Sequence, residues 1–151
     1  MQATVSIQRE DFSVADEIEA LTRGRADIGA VVTFTGLCRD EGGRLSALEL
    51  EHYPGMAEEE LGRLCAAAQE RWPLQGLTVI HRHGAMRPGE SIVLVVAASA
   101  HRRDAFEAAS FLMDYLKTKA PFWKREHLSD GTTGGWVEAA AADDAAAERW
   151  V

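Results

Sequence analysis

The residues of this sequence best suited to chemistry are basic side chains gathered in one short segment. Residues 117–126 hold four of them (Lys117, Lys119, Lys124 and Arg125) together with two aromatic residues and a proline. Lysine ammonium groups bind anions, and a lysine whose pKa is lowered by burial or by cationic neighbours can transfer protons near neutral pH. The segment therefore predicts one side of an anion-binding catalytic pocket.

The cationic segment stands out because the chain as a whole is acidic. The 151 residues carry a formal net charge of −8, yet residues 101–125 alone carry +3, so the remainder carries −11. An acidic protein with one local cationic patch suits a small anionic ligand or an anionic chain end better than a nucleic-acid backbone. Nucleic-acid binding is therefore disfavoured.

The composition is that of a soluble globular protein, with 46% hydrophobic and 26% charged residues. No apolar run has the length of a membrane span, and the N-terminus lacks the pattern of a signal peptide. Cys38 and Cys65 give neither a disulfide framework nor paired metal-ligand spacing. We expect one domain spanning residues 1–151, a cytoplasmic location, and neither a metal nor a cofactor.

The elements expected to position the cationic segment alternate between helix and strand in a mixed order. Ser13 is expected to cap the first helix, and Pro121 to end the third, because the residue before a proline is disfavoured in a helix. The pattern predicts one α+β domain. Helices are expected from Ser13 to about residue 23, over residues 56–71, from a cap at Ser99 to about residue 119, and in the last dozen residues; strands are expected over residues 29–36, 45–53, 77–83, 91–98, 122–128 and 135–139.

The phase of the third helix distinguishes between its two lysines. Phe106 and Met113 belong to its apolar stripe, and Lys117 follows them by eleven and four residues, which places it on the same face. Lys119 is rotated from Lys117 by about 200°. We therefore expect Lys117 to point inward, either as a core lysine whose amine reaches water or as a functional amine; geometry alone leaves both open.

The start of the same helix forms a second candidate anion site. A strand that runs into a helix at Ser99 presents free backbone N–H groups, and His101 and Arg102 add positive charge there. The alternative is that these side chains are ordinary solvated charges. A helix over residues 99–119 is about 30 Å long, so one ligand can touch both ends only if the helix is shorter or bent, or if a second subunit contributes.

An arginine, a cysteine and a pair of histidines are further candidates for functional groups. Arg39 follows a strand in a glycine-rich region, where it is either a ligand contact or a solvated loop arginine. Cys38 is expected to be a buried thiol rather than a nucleophile, since no base or resolving cysteine lies nearby in sequence. His81 and His83 face the same way on a strand, but no carboxylate lies at ligand spacing, so a zinc site is not expected.

Taken together, four segments resemble the catalytic (large) subunit of molybdopterin synthase. The segments are FTGLCR at residues 34–39, LEHYPGM at 50–56, SAHR at 99–102 and MDYLKTKAPFWKRE at 113–126. The resemblance spans nearly the whole chain, from about Phe12 to Trp150. It implies an α/β hammerhead-type domain with a small additional β subdomain.

The resemblance also implies an activity and an assembly. The reaction converts cyclic pyranopterin monophosphate (precursor Z) to molybdopterin, using two sulfurs from the C-terminal Gly-Gly thiocarboxylates of small ubiquitin-like carrier subunits. The expected assembly is a homodimer flanked by two carriers, which makes a heterotetramer. The chain has Ala140 where members of that family often have an arginine, so another cation would have to replace it if that arginine binds substrate.

The resemblance assigns roles to particular positions of this sequence. Lys117 and Lys124 match the active-site lysines. The remaining matches are to residues of the substrate pocket or its loop: Leu37, Cys38, Arg39, His101, Arg102, Arg125 and Glu126.

Overall fold

The structure is a computed structural model, and it describes residues 2–118, 122–137 and 148–150. None of the described helices is long and apolar enough to cross a membrane. The helices are α1 (Val14–Thr22), α2 (Met56–Arg71) and α3 (Arg102–Leu116), and the strands are β1 (Thr4–Gln8), β2 (Ala30–Leu37), β3 (Leu45–His52), β4 (Leu74–Arg82), β5 (Gly84–Met86), β6 (Ser91–Ser99) and β7 (Phe122–Leu128).

The first sheet has four strands in the order β1-β4-β6-β2 and is packed on both faces by helices. β1 pairs with β4 in parallel, and the other pairs are antiparallel. Alternate residues of β6 point to opposite faces of the sheet, and the residues on both faces are apolar. Val95 joins the core under α2 and α3, whereas Leu94 joins the smaller core under α1.

The second sheet is antiparallel, has the order β5-β3-β7, and forms a separate small layer. Its core is a cluster of buried residues, Cys38, Leu45, Leu50 and Met86. This sheet corresponds to the additional β subdomain, and the α+β class is confirmed. Its last strand, β7, carries Lys124.

Several predicted boundaries are confirmed. α2 and β7 have the predicted bounds, and the Ser13 hydroxyl caps α1 by accepting a hydrogen bond from the backbone N–H of Asp16 at 3.2 Å. Of the strand predicted over residues 135–139, Val137 is described and forms a bridge with Lys124. Residues 138–139, Ala140 and most of the predicted C-terminal helix lie outside the described residues.

The prediction that Ser99 caps α3 is wrong. Ser99 is the last residue of β6 and is buried, and its hydroxyl donates to the carbonyl of Pro73 at 3.2 Å. The N-cap position belongs to His101, so α3 is 15 residues long. At 1.5 Å per residue its length is about 22 Å rather than 30 Å.

Two strands, β1 and β5, were not predicted. In β1 polar and apolar residues alternate from Thr4 to Ile7, which is a strand pattern, but the segment is only five residues long. β5 has three residues, too few for any periodicity to be visible. Both strands form because a neighbouring strand, β4 or β3, offers an edge with which to pair.

Candidate active site

The N-terminus of α3 presents the histidine and arginine expected there. His101 has an extended backbone (φ −128°, ψ 141°) and makes no side-chain capping hydrogen bond, and Arg102 is the first helical residue. Both side chains are exposed. Arg103 is paired with Glu107 at 3.2 Å, whereas Arg102 has no ion pair with another described residue. This helix end therefore has free cationic groups and a positive dipole end for an anion.

Lys117 lies at the other end of α3, and its expected burial is wrong for the single chain. It is the C-cap residue, its backbone N–H donates to the carbonyl of Met113 at 3.2 Å, and its side chain is exposed. The apolar stripe ends one residue earlier, at the buried Leu116. Phe106, whose face Lys117 shares by helical phase, is itself 61% exposed, so this face of α3 is not the packed one and the side chain of Lys117 lies in solvent.

His81 on β4 lies close to Lys117 and is buried, with 9% of its surface exposed. Its Nδ1 donates to the carbonyl of Arg82 at 2.8 Å, and its ring stacks on Phe122 with a centroid distance of 3.9 Å. Burial is the main reason why the pKa of His81 is lowered to about 4; the hydrogen bond to Arg82 opposes the shift, and the charge of Lys117 adds to it. The imidazole is therefore neutral at neutral pH.

Lys124 lies in the second sheet, on the strand whose Phe122 contacts His81. It lies two residues after Phe122 on β7, so the two side chains share one face of the strand. Its side chain is exposed, and its backbone exchanges two hydrogen bonds with Val137, at 3.0 and 2.7 Å. The contact between His81 and Phe122 therefore joins the element that carries Lys124 to the strand beside Lys117.

Arg125 points to the opposite face of β7 and has partners there. Its Nε donates to Glu49 at 2.9 Å, and its guanidinium group lies 4.4 Å from the ring centre of Trp136. His127 also contacts Glu49, at 2.8 Å. The hydrogen bonds from His127 and Arg125 lower the pKa of Glu49. The charge of Arg125 is thus already balanced within the chain.

Glu126 is likewise engaged in an ion pair. Arg44 donates two hydrogen bonds to its carboxylate, at 3.3 and 2.9 Å, so the ion pair is bidentate. The hydrogen bond from Arg44 lowers the pKa of Glu126. The expected pocket-lining role of Glu126 and Arg125 stays a prediction, and what the structure gives them is a part in fixing β7 against β3.

The loop after β2 holds the remaining residues expected at the site. Cys38 is buried, its backbone exchanges hydrogen bonds with Glu90 and Gly89 at 2.8 and 2.7 Å, and burial raises the pKa of its thiol. The expectation of a buried thiol is confirmed. Leu37 is exposed, and Arg39 is 81% exposed beside Glu41 at 2.8 Å. Cys38 thus anchors a loop whose neighbouring side chains reach solvent.

The topology separates these residues into two groups at opposite ends of β6. Leu37 pairs with Ser91 at the start of β6, and His81 pairs with Val93 beside it. Lys117 lies near His81, so α3 runs back along β6 and returns to its starting end. Arg39, Lys117 and Lys124 therefore belong to one end, whereas the start of α3 lies about 22 Å away, at the other.

One grouping was missed entirely by the sequence analysis. Glu51 and His52 at the end of β3 meet His83, which directly follows β4, and one ligand atom from each lies within 4.8 Å of the others. The only local hint is that each histidine stands where a strand ends. Strand alternation pairs His83 with His81, but the His81 ring stacks on Phe122 instead.

Known proteins match this chain along nearly its full length. Residues 7–119 match the MoaE protein family. The molybdopterin synthase catalytic subunit of Mesorhizobium japonicum is 76% identical over 147 residues, covering 97% of this chain and 92% of that protein. A MoaE protein of molybdopterin biosynthesis from Burkholderia ambifaria has a structure with a TM-score of 0.85 at 45% identity, covering 99% and 98% of the two chains.

A more distant structure shares the fold. It is the protein–protein complex of subunits 1 and 2 of molybdopterin-converting factor from Helicobacter pylori, in which the matching chain is 20% identical with a TM-score of 0.73, covering 92% of each chain. At that identity the likeness shows the fold alone. The family match and the 76% identity are decisive: this chain belongs to the MoaE family of molybdopterin synthase catalytic subunits.

Proposed function

We propose that this chain transfers two sulfur atoms to precursor Z, which forms the dithiolene of molybdopterin in molybdenum cofactor biosynthesis. The sulfur donors are the C-terminal Gly-Gly thiocarboxylates of small ubiquitin-like carrier subunits. The observation that carries the proposal is that Phe122, on the strand that carries Lys124, stacks on the buried His81, on which the charge of Lys117 also acts. Membership of the MoaE family supports the same reaction.

The electrostatics of the site fit this pair of reactants. The substrate carries a cyclic phosphate and the donor is a thiocarboxylate, so both are anions that repel each other, and more strongly where water is excluded. Arg39, Lys117 and Lys124 bring three exposed cationic side chains to one end of β6. Their positive charge lowers the free energy of bringing the two anions together.

The two lysines have different parts in the chemistry. Lys117 is the main proton-transfer group, which protonates the departing oxygen and stabilises charge that develops in the transition state. Lys124 is the electrostatic partner that holds the carrier's C-terminus. Leu37 and Cys38 shape the loop that presents Arg39, and the buried Cys38 does so through its backbone hydrogen bonds.

The phosphate-binding residues His101 and Arg102 act in the pocket of the other subunit of a homodimer. In one chain they lie about 22 Å along α3 from Lys117, too far for a ligand of this size to contact both. A symmetric dimer can bring the start of one α3 to the end of the other. The exposure of Lys117 in the single chain agrees with a pocket that a second subunit completes.

The second sheet offers a surface suited to the carrier subunit on the face of β7 opposite to Lys124. Large apolar side chains are exposed around this sheet, and a cavity of about 360 Å³ is lined by Glu51, Trp123 and Trp136. An exposed apolar surface on the strand that carries the exposed Lys124 suits a partner with an apolar surface and an anionic tail. The side chains concerned are Tyr53, Met56, Trp136 and Val137.

A persulfide relay through Cys38 is the rival sulfur-transfer mechanism, and the structure argues against it. The thiol is 2% exposed and packs in the core of the second sheet, where its Sγ donates to the carbonyl of Met86 at 3.7 Å. Burial raises its pKa, so the thiolate that would attack is scarce at neutral pH. A non-catalytic scaffold that merely recruits the carrier is the second alternative, and the following substitution tests it.

Replacing Lys117 by alanine tests the proposed mechanism. The purified variant is mixed with thiocarboxylated carrier and precursor Z, and molybdopterin is measured. We expect Lys117→Ala to lower the rate of dithiolene formation by about 10²- to 10⁴-fold, the usual contribution of a positioned proton-transfer group. Dimerisation and carrier binding, measured by sedimentation and calorimetry, should stay at the level of the unmodified chain.

Lys119→Ala is the matched control, because the family resemblance gives Lys119 no active-site role. It removes the same charge from the same segment and should keep most of the activity. An active Lys117→Ala variant would contradict the mechanism, and absence of molybdopterin formation by the unmodified chain would favour the scaffold.

A further inference from the structure

The cluster of Glu51, His52 and His83 has a geometry that the proposed sulfur transfer does not use. The two imidazole rings face each other with a centroid distance of 4.5 Å. One ligand atom from each of the three residues lies within 4.8 Å of the others. These residues join the two sheets, because His52 ends β3 in the second sheet and His83 follows β4 in the first.

Both rings present a nitrogen without a partner. The Nδ1 atoms of His52 and His83 are buried and have no hydrogen-bond partner in the part of the chain that the structure describes. The His52 side chain is only 9% exposed. The nearest carboxylate oxygen, Oε1 of Glu51, is 3.7 Å from Nδ1 of His52, which is beyond hydrogen-bonding distance. Buried polar atoms of this kind are rare and call for a ligand or an ion.

Nδ1 of each ring has no partner among the described residues, so the two facing imidazoles can offer lone pairs to the same ion. A neutral imidazole with a free lone pair is the form that binds a metal.

We propose that Glu51, His52 and His83 bind a divalent transition-metal ion, for which zinc is best suited. Two imidazole nitrogens and a carboxylate oxygen are a common zinc ligand set, with a fourth position left for water or another group. Zinc–ligand distances of about 2.0–2.2 Å put the ligand atoms of a tetrahedron roughly 3.4 Å apart. The ligand atoms here need to approach by up to about 1.4 Å, which side-chain rotation allows.

Glu58 at the start of α2 supports this arrangement. Its Oε1 lies 3.8 Å from Nε2 of His52, and its other carboxylate oxygen accepts a hydrogen bond from the backbone N–H of Gly55. As the ion binds and the ring turns, Nε2–H can donate to Glu58, which leaves Nδ1 for the metal; such partners orient ligating histidines. The ion reaches the cluster from the side of Glu51, whose side chain is 49% exposed.

The inference does not rest on the sulfur-transfer chemistry, because it concerns a link between the two sheets, although Glu51 also lines the cavity assigned above to the carrier. The bound ion would tie the end of β3 to the end of β4, next to the contact between His81 and Phe122. It should therefore stabilise the folded chain, since a ligand that binds only the native state raises the unfolding temperature.

Zinc and cobalt binding to the chain without an affinity tag test the proposal. After treatment with a chelator, the chain is titrated with Zn²⁺ by calorimetry, and Co²⁺ is used to record the visible spectrum. We expect one ion per chain, a higher unfolding temperature with Zn²⁺, and the intense d–d absorption of four-coordinate Co²⁺. His52→Gln and His83→Gln should each weaken Zn²⁺ binding by more than about a hundredfold, because even the partners of ligands contribute about 10- to 100-fold.

His127→Gln is the matched control, since His127 also contacts a glutamate but lies outside the cluster. It should bind Zn²⁺ as the unmodified chain does. The proposal is overturned if the unmodified chain binds Zn²⁺ no more tightly than the His52→Gln/His83→Gln double variant. It is equally overturned if His127→Gln weakens binding as much as the cluster variants do. Circular dichroism of each variant without metal shows whether it is folded.

Discussion

Lys117 shows how a misplaced apolar stripe gives a wrong burial. Helical phase puts it on the face of Phe106 and Met113, but Phe106 is 61% exposed and Met113 is only half-buried, so this face of α3 is not the packed one. The charge of Lys117 nevertheless acts on the buried His81, where it helps to lower the pKa. The proton-transfer role therefore does not rest on desolvation within one chain, and any such desolvation has to come from a partner or from the substrate.

His81 should make the stability of the chain depend on pH. Its pKa is lowered from 6.5 to about 4 in the folded chain, so the unfolded chain binds more protons between these values. The stabilisation by the neutral ring is complete above about pH 6.5 and is lost as the pH falls towards 4. We expect the loss to be about 3 kcal/mol in the free energy of unfolding, at 1.36 kcal/mol per pKa unit.

Urea unfolding at pH 7.5 and pH 4 measures this effect. Between pH 7.5 and pH 4, the free energy of unfolding should fall less in His81→Gln than in the unmodified chain, by about the same 3 kcal/mol. The carboxylates contribute to both proteins alike and cancel in the comparison. An unchanged difference would mean that His81 is not held neutral in the folded chain.

At the scale of elements, the close approach between the start of β2 and the end of β6 fixes the start of α3. A Cβ at Gly29 would lie 2.2 Å from the carbonyl oxygen of Ala100, and the backbone N–H of Gly29 donates to Ser99 at 2.9 Å. Ala100 immediately precedes His101 and Arg102. A side chain at Gly29 would therefore displace the backbone next to His101 and Arg102 without contacting these proposed phosphate-binding residues.

Gly29→Ala should destabilise the chain and weaken substrate binding. The added methyl group meets backbone rather than a flexible side chain, so we expect a loss of about 1–3 kcal/mol in the free energy of unfolding. Because Ala100 has to move, KM for precursor Z should rise more than kcat falls. Thermal unfolding measures the loss of stability, and steady-state kinetics measure KM and kcat.

Gly62→Ala provides the matched control in α2. A Cβ there would meet nothing within 4 Å, and alanine is favoured over glycine in a helix interior. The variant should be more stable by about 0.5–1 kcal/mol with unchanged KM. If Gly29→Ala behaved in the same way, the backbone contact at Ala100 would not be a constraint.

At the scale of the whole molecule, the length of α3 makes a homodimer the simplest way to complete the pocket. The test is a mixed dimer of an Arg102→Ala subunit and a Lys117→Ala subunit, isolated with two different affinity tags. If each pocket takes Arg102 from one subunit and Lys117 from the other, one of the two pockets is intact, so activity should be about half that of the unmodified dimer.

The reverse combination is the control for this experiment. A dimer of one unmodified subunit and one subunit with both substitutions has a defect in each shared pocket, so it should be nearly inactive. If the pocket lay within one subunit, the reverse combination would keep about half the activity and the first mixed dimer would have none. Molybdopterin formation distinguishes the two arrangements directly.

Local patterns were sufficient for much of the fold. The bounds of α2 were predicted because its apolar residues recur at helical spacing between a glycine turn and Trp72–Pro73. Ser13 capped α1 as expected because a cap involves only neighbouring residues. Ser99 failed as a cap because the pairing of β6 with β4 extends the strand through it, and its hydroxyl then binds Pro73, which is distant in sequence.

The sequence by itself determined the α+β class and the resemblance to the MoaE family, and it suggested Lys117 and Lys124 as the proposed active-site lysines, because these depend on local spacing and residue type. Only the tertiary structure decided which groups meet. It placed Lys117 beside His81, separated Arg102 from both, paired Arg125 with Glu49, and set His52 against His83. These contacts depend on strand order and register, which join residues far apart in the chain and which local periodicity does not encode.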